Sequence, residues 1–324
     1  MRSTWVRVVL AVFSMPAACG DDDGGSTPDA APVADAGPPD AAVPADLWFV
    51  MDRVEVPETA NQASTFALDL DGNDVPDNAL GGLLAALHGQ TGMPVAAAHM
   101  QAIDAGRALT LVGLEDVVLE EGGPVPVHVV PGEDLDDDAG DNFSGTEPFA
   151  LAPVEGADGE LAGTLAGARL QAGPGALAVL LTVAGDPDAV VALRGVGGRI
   201  DCQASGIGLG SGRLAAAFTE DEVDIRLLPA MATGIDAILL RDCPDAVCEP
   251  GSPGEELAIF FDDDGDFRVT EEEFRANSLI ESTVGNPDLD LFDADGAFNP
   301  RVDGVKDSLS FGVRFTAAPA VLAE

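Results

Sequence analysis

Short apolar runs divided by Gly, Pro and Asp set the pattern of this chain. LWFVMDRVEVP (47–57) alternates in part and carries β-formers, which predicts a strand. NALGGLLAALH (78–88) has helical spacing, weakened by Gly81 and Gly82. The stretch 95–105 predicts a second helix, ended by Gly106. ALTLVGLEDVVLE (108–120) returns to strand. The runs 125–130, 148–154, 160–171, 176–184, 189–193 and 198–203 are apolar or alternating, at the spacing expected of a β-sandwich. SGIGLGSG (205–212) predicts a hairpin or turn. At Thr219 the period changes: Thr219 and Glu222 have capping-box spacing, apolar positions follow helically to Leu239, and Pro229 predicts a kink or break. SLSFGVRFTA (308–317) closes the chain as a strand. The predicted class is α+β: a mainly antiparallel β-sandwich with a few packed helices and an EF-hand-like loop–helix near the C-terminus.

The first residues change the picture of where such a body sits. Arg2 and Arg7 precede or flank VVLAVFSM (8–15), an apolar stretch too short to span a bilayer. Pro16-Ala-Ala-Cys19 follows, and small residues before a Cys in this place resemble a bacterial lipobox. Pro16 stands where that pattern prefers Leu. The resemblance implies removal of 1–18 and a lipid on Cys19; ordinary secretion with cleavage nearby is the alternative. Both imply export, and the expected address is the cell envelope, as an outer-membrane or cell-surface lipoprotein touching the membrane through its anchor only. Residues 19–46 are mostly Ala, Pro, Asp and Gly with little to bury, which predicts a disordered tether. Residues 47–324 are read as one β-rich domain.

Charge narrows the partners. The chain has 57 acidic against 15 basic residues, a formal −42, which repels nucleic acid and attracts cations. Two readings fit: an exported calcium-loaded protein, or a surface adapted to high salt. Three cysteines remain beyond Cys19. Cys243 and Cys248 are close enough to close a small disulfide loop, and pairing of Cys202 with either is the rival. His88, His99 and His128 are isolated in sequence, so zinc has no ligand set.

Acidic clusters are expected by chance in such a chain, so spacing has to decide. In DDDGDFRVTEEEF (262–274), Asp262, Asp264, Asp266, the Arg268 carbonyl, Thr270 and Glu273 occupy ligand positions 1, 3, 5, 7, 9 and 12 of a calcium loop. The ligands resemble an EF-hand; Phe267 departs from it at position 6, where that family has Gly for a sharp turn. The segment taken as EF-hand-like is 254–281. In DLDGNDVPDNAL (69–80), Asp69, Asp71, Asn73, the Val75 carbonyl and Asp77 fill positions 1, 3, 5, 7 and 9, but Leu80 replaces the bidentate acid. This looks like the Asp-x-Asp-Gly-Asn loops of dockerin or thrombospondin type 3 modules. In 288–304 only Asp293 and Asp295 start well. Asp134–Asp141 is read as a solvated loop. Ca²⁺ is the one cofactor these spacings predict.

The closing run, NSLIESTVGNPDLDLFDADGAFNPRVDGVKDSLSFGVRFTA (277–317), resembles the C-terminus of uncharacterised exported bacterial lipoproteins. That resemblance implies an architecture and an address, and no activity. Gly-x-Ser-x-Gly, His-Glu-x-x-His, a P-loop and Gly-x-Gly-x-x-Gly are all missing. The expectation is therefore a non-enzymatic calcium-binding envelope protein with a structural or interaction role and an unknown surface partner. An exported hydrolase with calcium only as a stabiliser, and a salt-adapted surface protein without specific metal, are the alternatives.

Overall fold

The computed structural model describes residues 45–119 and 121–323, so Cys19, the leader and nearly all of the tether lie outside the described residues. The nine strands are β1 (Ala45–Glu55), β2 (Thr110–Val117), β3 (Gly123–Asp134), β4 (Pro148–Leu151), β5 (Glu160–Ala166), β6 (Arg169–Thr182), β7 (Val190–Ser205), β8 (Gly208–Thr219) and β9 (Ser308–Leu322). The helices are α1 (Ala60–Phe66), α2 (Ala79–Thr91), α3 (Val95–Asp104), α4 (Glu220–Glu222, Val223–Leu227 and Leu228–Asp242, run together), α5 (Pro253–Phe261), α6 (Glu271–Ala276) and α7 (Ser278–Val284). The class is α+β, as the periodicities predict.

The strands form one sheet, not the two facing sheets of a sandwich. Its antiparallel pairings run β1–β2–β3–β5–β6–β7–β8–β9 and then return from β9 to β1. That closes an eight-stranded ring with no free edge. β4 stands outside the ring, antiparallel to the end of β3 and parallel to the end of β9. Alternation supplies the inside: Leu161 and Leu165 of β5 are buried, whereas Glu160, Ala162, Thr164 and Ala166 are exposed. Val127 of β3, Leu177 of β6, Ile200 of β7 and Phe311 of β9 join the same core as Leu84 of α2 and Ile235 of α4. An eight-stranded ring is about wide enough for side chains to fill it. Apolar inside with Glu160, Thr164, Arg169, Gln171 and Gln203 outside is the reverse of a membrane-spanning barrel. Among the described residues no helix is long and apolar enough to cross a membrane.

Two long connections carry all the helices of the described residues. The β1–β2 connection holds α1–α3, and the β8–β9 connection holds α4–α7. Gly81 weakens α2 in propensity, but a Cβ there would lie 2.2 Å from Asn78 Oδ1, which accepts the Gly81 N–H and caps the helix. Pro229 does not break α4. A π-turn at Val223–Leu227 precedes it, with the Leu228 N–H donating to the Val223 carbonyl, so a wider turn absorbs the irregularity. The capping box expected at Thr219 is only half made. Thr219 accepts the Glu222 N–H, whereas the buried Glu222 carboxylate takes Arg194 and Arg226. The helical end of the EF-hand-like segment 254–281 is two helices, because Asn277 ends α6 and caps α7.

A smaller cluster lies on the outer face of the ring. Val50, Leu109 and Leu111 are covered by Phe149 of β4. Trp48 packs half-buried at its margin, stacked on His128, and lies so close over Gly113 that a Cβ there would be 2.6 Å from the indole. Cys243 and Cys248 are joined in a disulfide, and Cys202 is a free, buried thiol inside the ring.

Candidate metal sites in the helical connections

The loop 262–270 joins α5 to α6. Its backbone wraps around one carboxylate. Asp262 Oδ1 accepts the N–H groups of Gly265 (2.8 Å) and Asp266 (3.2 Å), and its Oδ2 accepts that of Phe267 (2.8 Å). Asp264 accepts from Asp266 at 3.1 Å and Asp266 from Arg268 at 2.8 Å. Phe267 takes φ 61°, the left-handed turn a Gly would supply at position 6. Thr270 and Glu273 complete a capping box at the start of α6. Oxygens of Asp262, Asp264 and Glu273 come within 4.8 Å of one another. The Asp266 N–H holds the Asp264 carboxyl down, but some lost hydration and the charges of Asp266, Glu273 and Asp262 together push it above the ordinary range.

Neighbours hold this loop in place. The Arg268 guanidinium grips Asp236 of α4 with two bonds of 2.7 Å, and the Val269 N–H donates to the same carboxylate. Arg268 thereby keeps the Asp236 carboxyl below its ordinary value. Buried Phe261 and Phe274 pack ring to ring, 5.1 Å apart, behind the loop.

The loop 69–77 lies between α1 and α2, in the other long connection, and wraps the same way. Asp69 Oδ1 accepts from Gly72 (2.7 Å) and Asn73 (3.1 Å), and Oδ2 from Asp74 (2.9 Å). Asp71 accepts from Asn73 and Asn73 from Val75. Asp74 at position 6 has φ 64°. Both loops therefore share donors, acceptors and left-handed sixth residue. They differ at the closing acid. Leu80 occupies position 12 and is buried in the core, so it supplies no ligand. Asp77 turns in instead, and oxygens of Asp69, Asp71 and Asp77 meet within 4.8 Å. Burial first, opposed by the Leu70 N–H, and then the charges of Asp71, Asp288 and Asp69 push Asp77 from 3.8 to about 6. The side chain of Val75 is exposed.

The stretch 288–304 gives only part of this pattern. Asp293 accepts the N–H groups of Asp295 and Ala297. Its acids serve elsewhere: Asp288 bonds Ser310 of β9, and Asp290 accepts from Gly304. Arg301 reaches across to the Gly72 carbonyl of the first loop. The third place where acidic oxygens converge is one that sequence spacing misses: Asp134, Asp136 and Glu147. Counted from Asp136, Glu147 stands at position 12 of a calcium loop, but Gly140 at position 5 interrupts the ligand pattern and Asp134 precedes the frame.

The two loops offer only hard oxygen ligands, which suits calcium or magnesium and not zinc. Oxygens bound to one calcium lie about 2.3–2.6 Å from it, hence at most ~5 Å apart. The separations in both loops meet that limit. No protein-family model, no curated protein and no solved structure matches this chain.

Proposed function

We propose that this chain is a calcium-binding protein of the cell envelope, anchored by a lipid on Cys19, in which the metal is structural and the role is support or interaction, not catalysis. The observation that carries the calcium reading is the repeated wrap. Two loops nearly two hundred residues apart, with different sequences, fold the same six-residue turn around a leading Asp. In both, the sixth residue is left-handed, which costs Phe267 roughly 1–2 kcal/mol and Asp74 less, since Asp adopts that conformation readily. The shared turn directs the carboxylates of each loop to one point, as ligand geometry would require.

The sites stand where metal would tie elements together. The first loop joins α1 to α2 and touches the 288–301 segment through Arg301 and the field of Asp288. The second joins α5 to α6 and is held to α4 through Asp236. An exported protein meets about millimolar calcium, and weak extracellular sites bind at roughly 10⁻⁴–10⁻³ M. A site with free calcium at tenfold its dissociation constant adds about 1.4 kcal/mol to stability. The anchor and the envelope address rest on residues 2–19.

The test is calorimetric calcium titration of the chelator-stripped protein in ~0.15 M salt, beside Glu273→Gln and Asp69→Asn. Saturable binding, with one ion weakened by each variant, is the expected result. No heat at either loop would leave them as acidic turns, and the charge would then belong to adaptation to molar salt.

A further inference from the structure

The stretch 135–147 links Asp134, the last residue of β3, to β4, and sequence reading takes Asp134–Asp141 as a solvated loop. Asp136, Asp137 and Asp138 are indeed exposed, but the acids at its two ends turn towards one another. Oxygens of Asp134, Asp136 and Glu147 lie within 4.8 Å of one another. Asp136 is exposed, but Glu147 is only 7% exposed. Among the described residues no Arg, Lys or His pairs with any of the three.

A second observation is independent of the acids. Asn142 is 0% exposed, and neither its Oδ1 nor its Nδ2 has a hydrogen-bond partner. Asp141 Oδ1 is likewise sealed from solvent and unpartnered. A Cβ on Gly106 would meet Asn142 Nδ2 at 3.1 Å and Asp134 Oδ2 at 3.4 Å, so the amide and the Asp134 carboxylate border the same small space. A half-turn of that amide presents its oxygen at the same point. A buried amide without partners and a buried carboxylate among like charges are each unfavourable. One ligand resolves both: a hard divalent cation.

We propose that Asp134, Asp136, Glu147 and the amide oxygen of Asn142 form a third cation site, of calcium class, that clamps the end of β3 to the start of β4. Every donor is oxygen, which selects against zinc. The place gives the ion a task. The Glu147 carbonyl accepts the Val321 N–H, and β4 pairs with both β3 and β9 over Val50 and Leu111. The ion therefore fixes the outer strand, and with it the last turn of pairing at the C-terminus. The site shares no residue with the loops 69–77 and 262–273 and stands without them.

The experiment is calcium titration of the whole chain carrying Asp69→Asn and Asp262→Asn, which remove the leading ligand of each other loop. This background is expected to bind one ion per chain. Adding Asp136→Asn or Glu147→Gln is expected to weaken that ion at least tenfold. Glu147→Gln also removes a repelling charge, so the metal-free variant should melt no lower than its background. Asp136 is exposed and carries the test should Glu147→Gln misfold. A background that binds no ion, or one whose affinity both added variants leave unchanged, overturns the proposal. If the unsubstituted chain binds calcium and the background does not, the third site fails while the two loops stand. If the background binds one ion and the unsubstituted chain no more, the loops fail and the third site stands.

Discussion

Phe267 is the residue at which the second loop departs from the EF-hand pattern, and the structure shows what the departure costs. At φ 61° its Cβ meets the crowding that Gly avoids. Comparing Phe267→Ala with Phe267→Gly isolates that cost, since both remove the half-buried ring. Denaturant unfolding should find the Gly variant more stable than the Ala variant by about 1 kcal/mol, and equal stabilities would mean the turn is not held left-handed. His99, on α3, makes a second residue-scale prediction. It is buried, its Nδ1 has no partner, and it faces a cavity of about 10 Å³ lined by Met51, Thr110 and Val313. Burial lowers its pKa from 6.5 to about 4. The folded state thus keeps it neutral where the unfolded chain protonates it. Its contribution is whole above pH 6.5 and is lost as pH falls towards 4, on the order of 3 kcal/mol in all. Urea unfolding of His99→Gln should show a shallower acid decline than the parent across that window; parallel declines would assign the acid loss to carboxylates alone. None of this was legible in the sequence, where His99 is simply an isolated histidine. The Asn142 amide was hidden for the same reason: burial without a partner is a property of the fold.

Among the elements, α2 is held by one side chain that serves several neighbours. Asn78 Nδ2 donates to the carbonyls of Ala63 and Gly312, and its Oδ1 accepts from Gly81 and Gly312. It caps α2 and fastens it to α1 and β9 at once. Asn78→Ala removes a cap worth about 1 kcal/mol and leaves inner backbone groups unpaired at about 1–3 kcal/mol more. A loss near 2–3 kcal/mol is expected by denaturant unfolding, with Asn78→Asp intermediate because it keeps only the acceptors. A loss below 0.5 kcal/mol would mean that α2 docks through Leu80, Leu84 and Leu87 without the cap. Local pattern showed most strands and both early helices, since alternation and helical period act within one segment. It merged β5 with β6, whose reversal at Gly167 needs only φ 59° and no flanking Pro. It missed the ring, because the β9–β1 pairing joins Glu55 to Arg314 and no neighbouring residue records it. It missed α1 because seven residues give too little period to read.

For the molecule as a whole, the −42 charge and the loops make one account. The loops of both helical connections gather carboxylates that repel until something cancels them, and those connections pack on the same core as the ring interior. Calcium would act there as a fastener between cap and barrel. The spacing of 262–273 and 69–77 was legible because each site is contiguous. The 134–147 cluster was not, because Gly140 interrupts the ligand spacing counted from Asp136 and the burial of Asn142 and Glu147 comes only with the fold. Salt at constant calcium should matter less than calcium at constant salt if specific sites carry the stabilisation. The most direct measurement is the melting temperature of the chelator-stripped protein with and without 2 mM calcium, at ionic strength matched with sodium chloride near 0.15 M. The account predicts a rise of several degrees that Asp69→Asn and Glu273→Gln each reduce. A melting temperature indifferent to calcium and raised only by molar salt would contradict it.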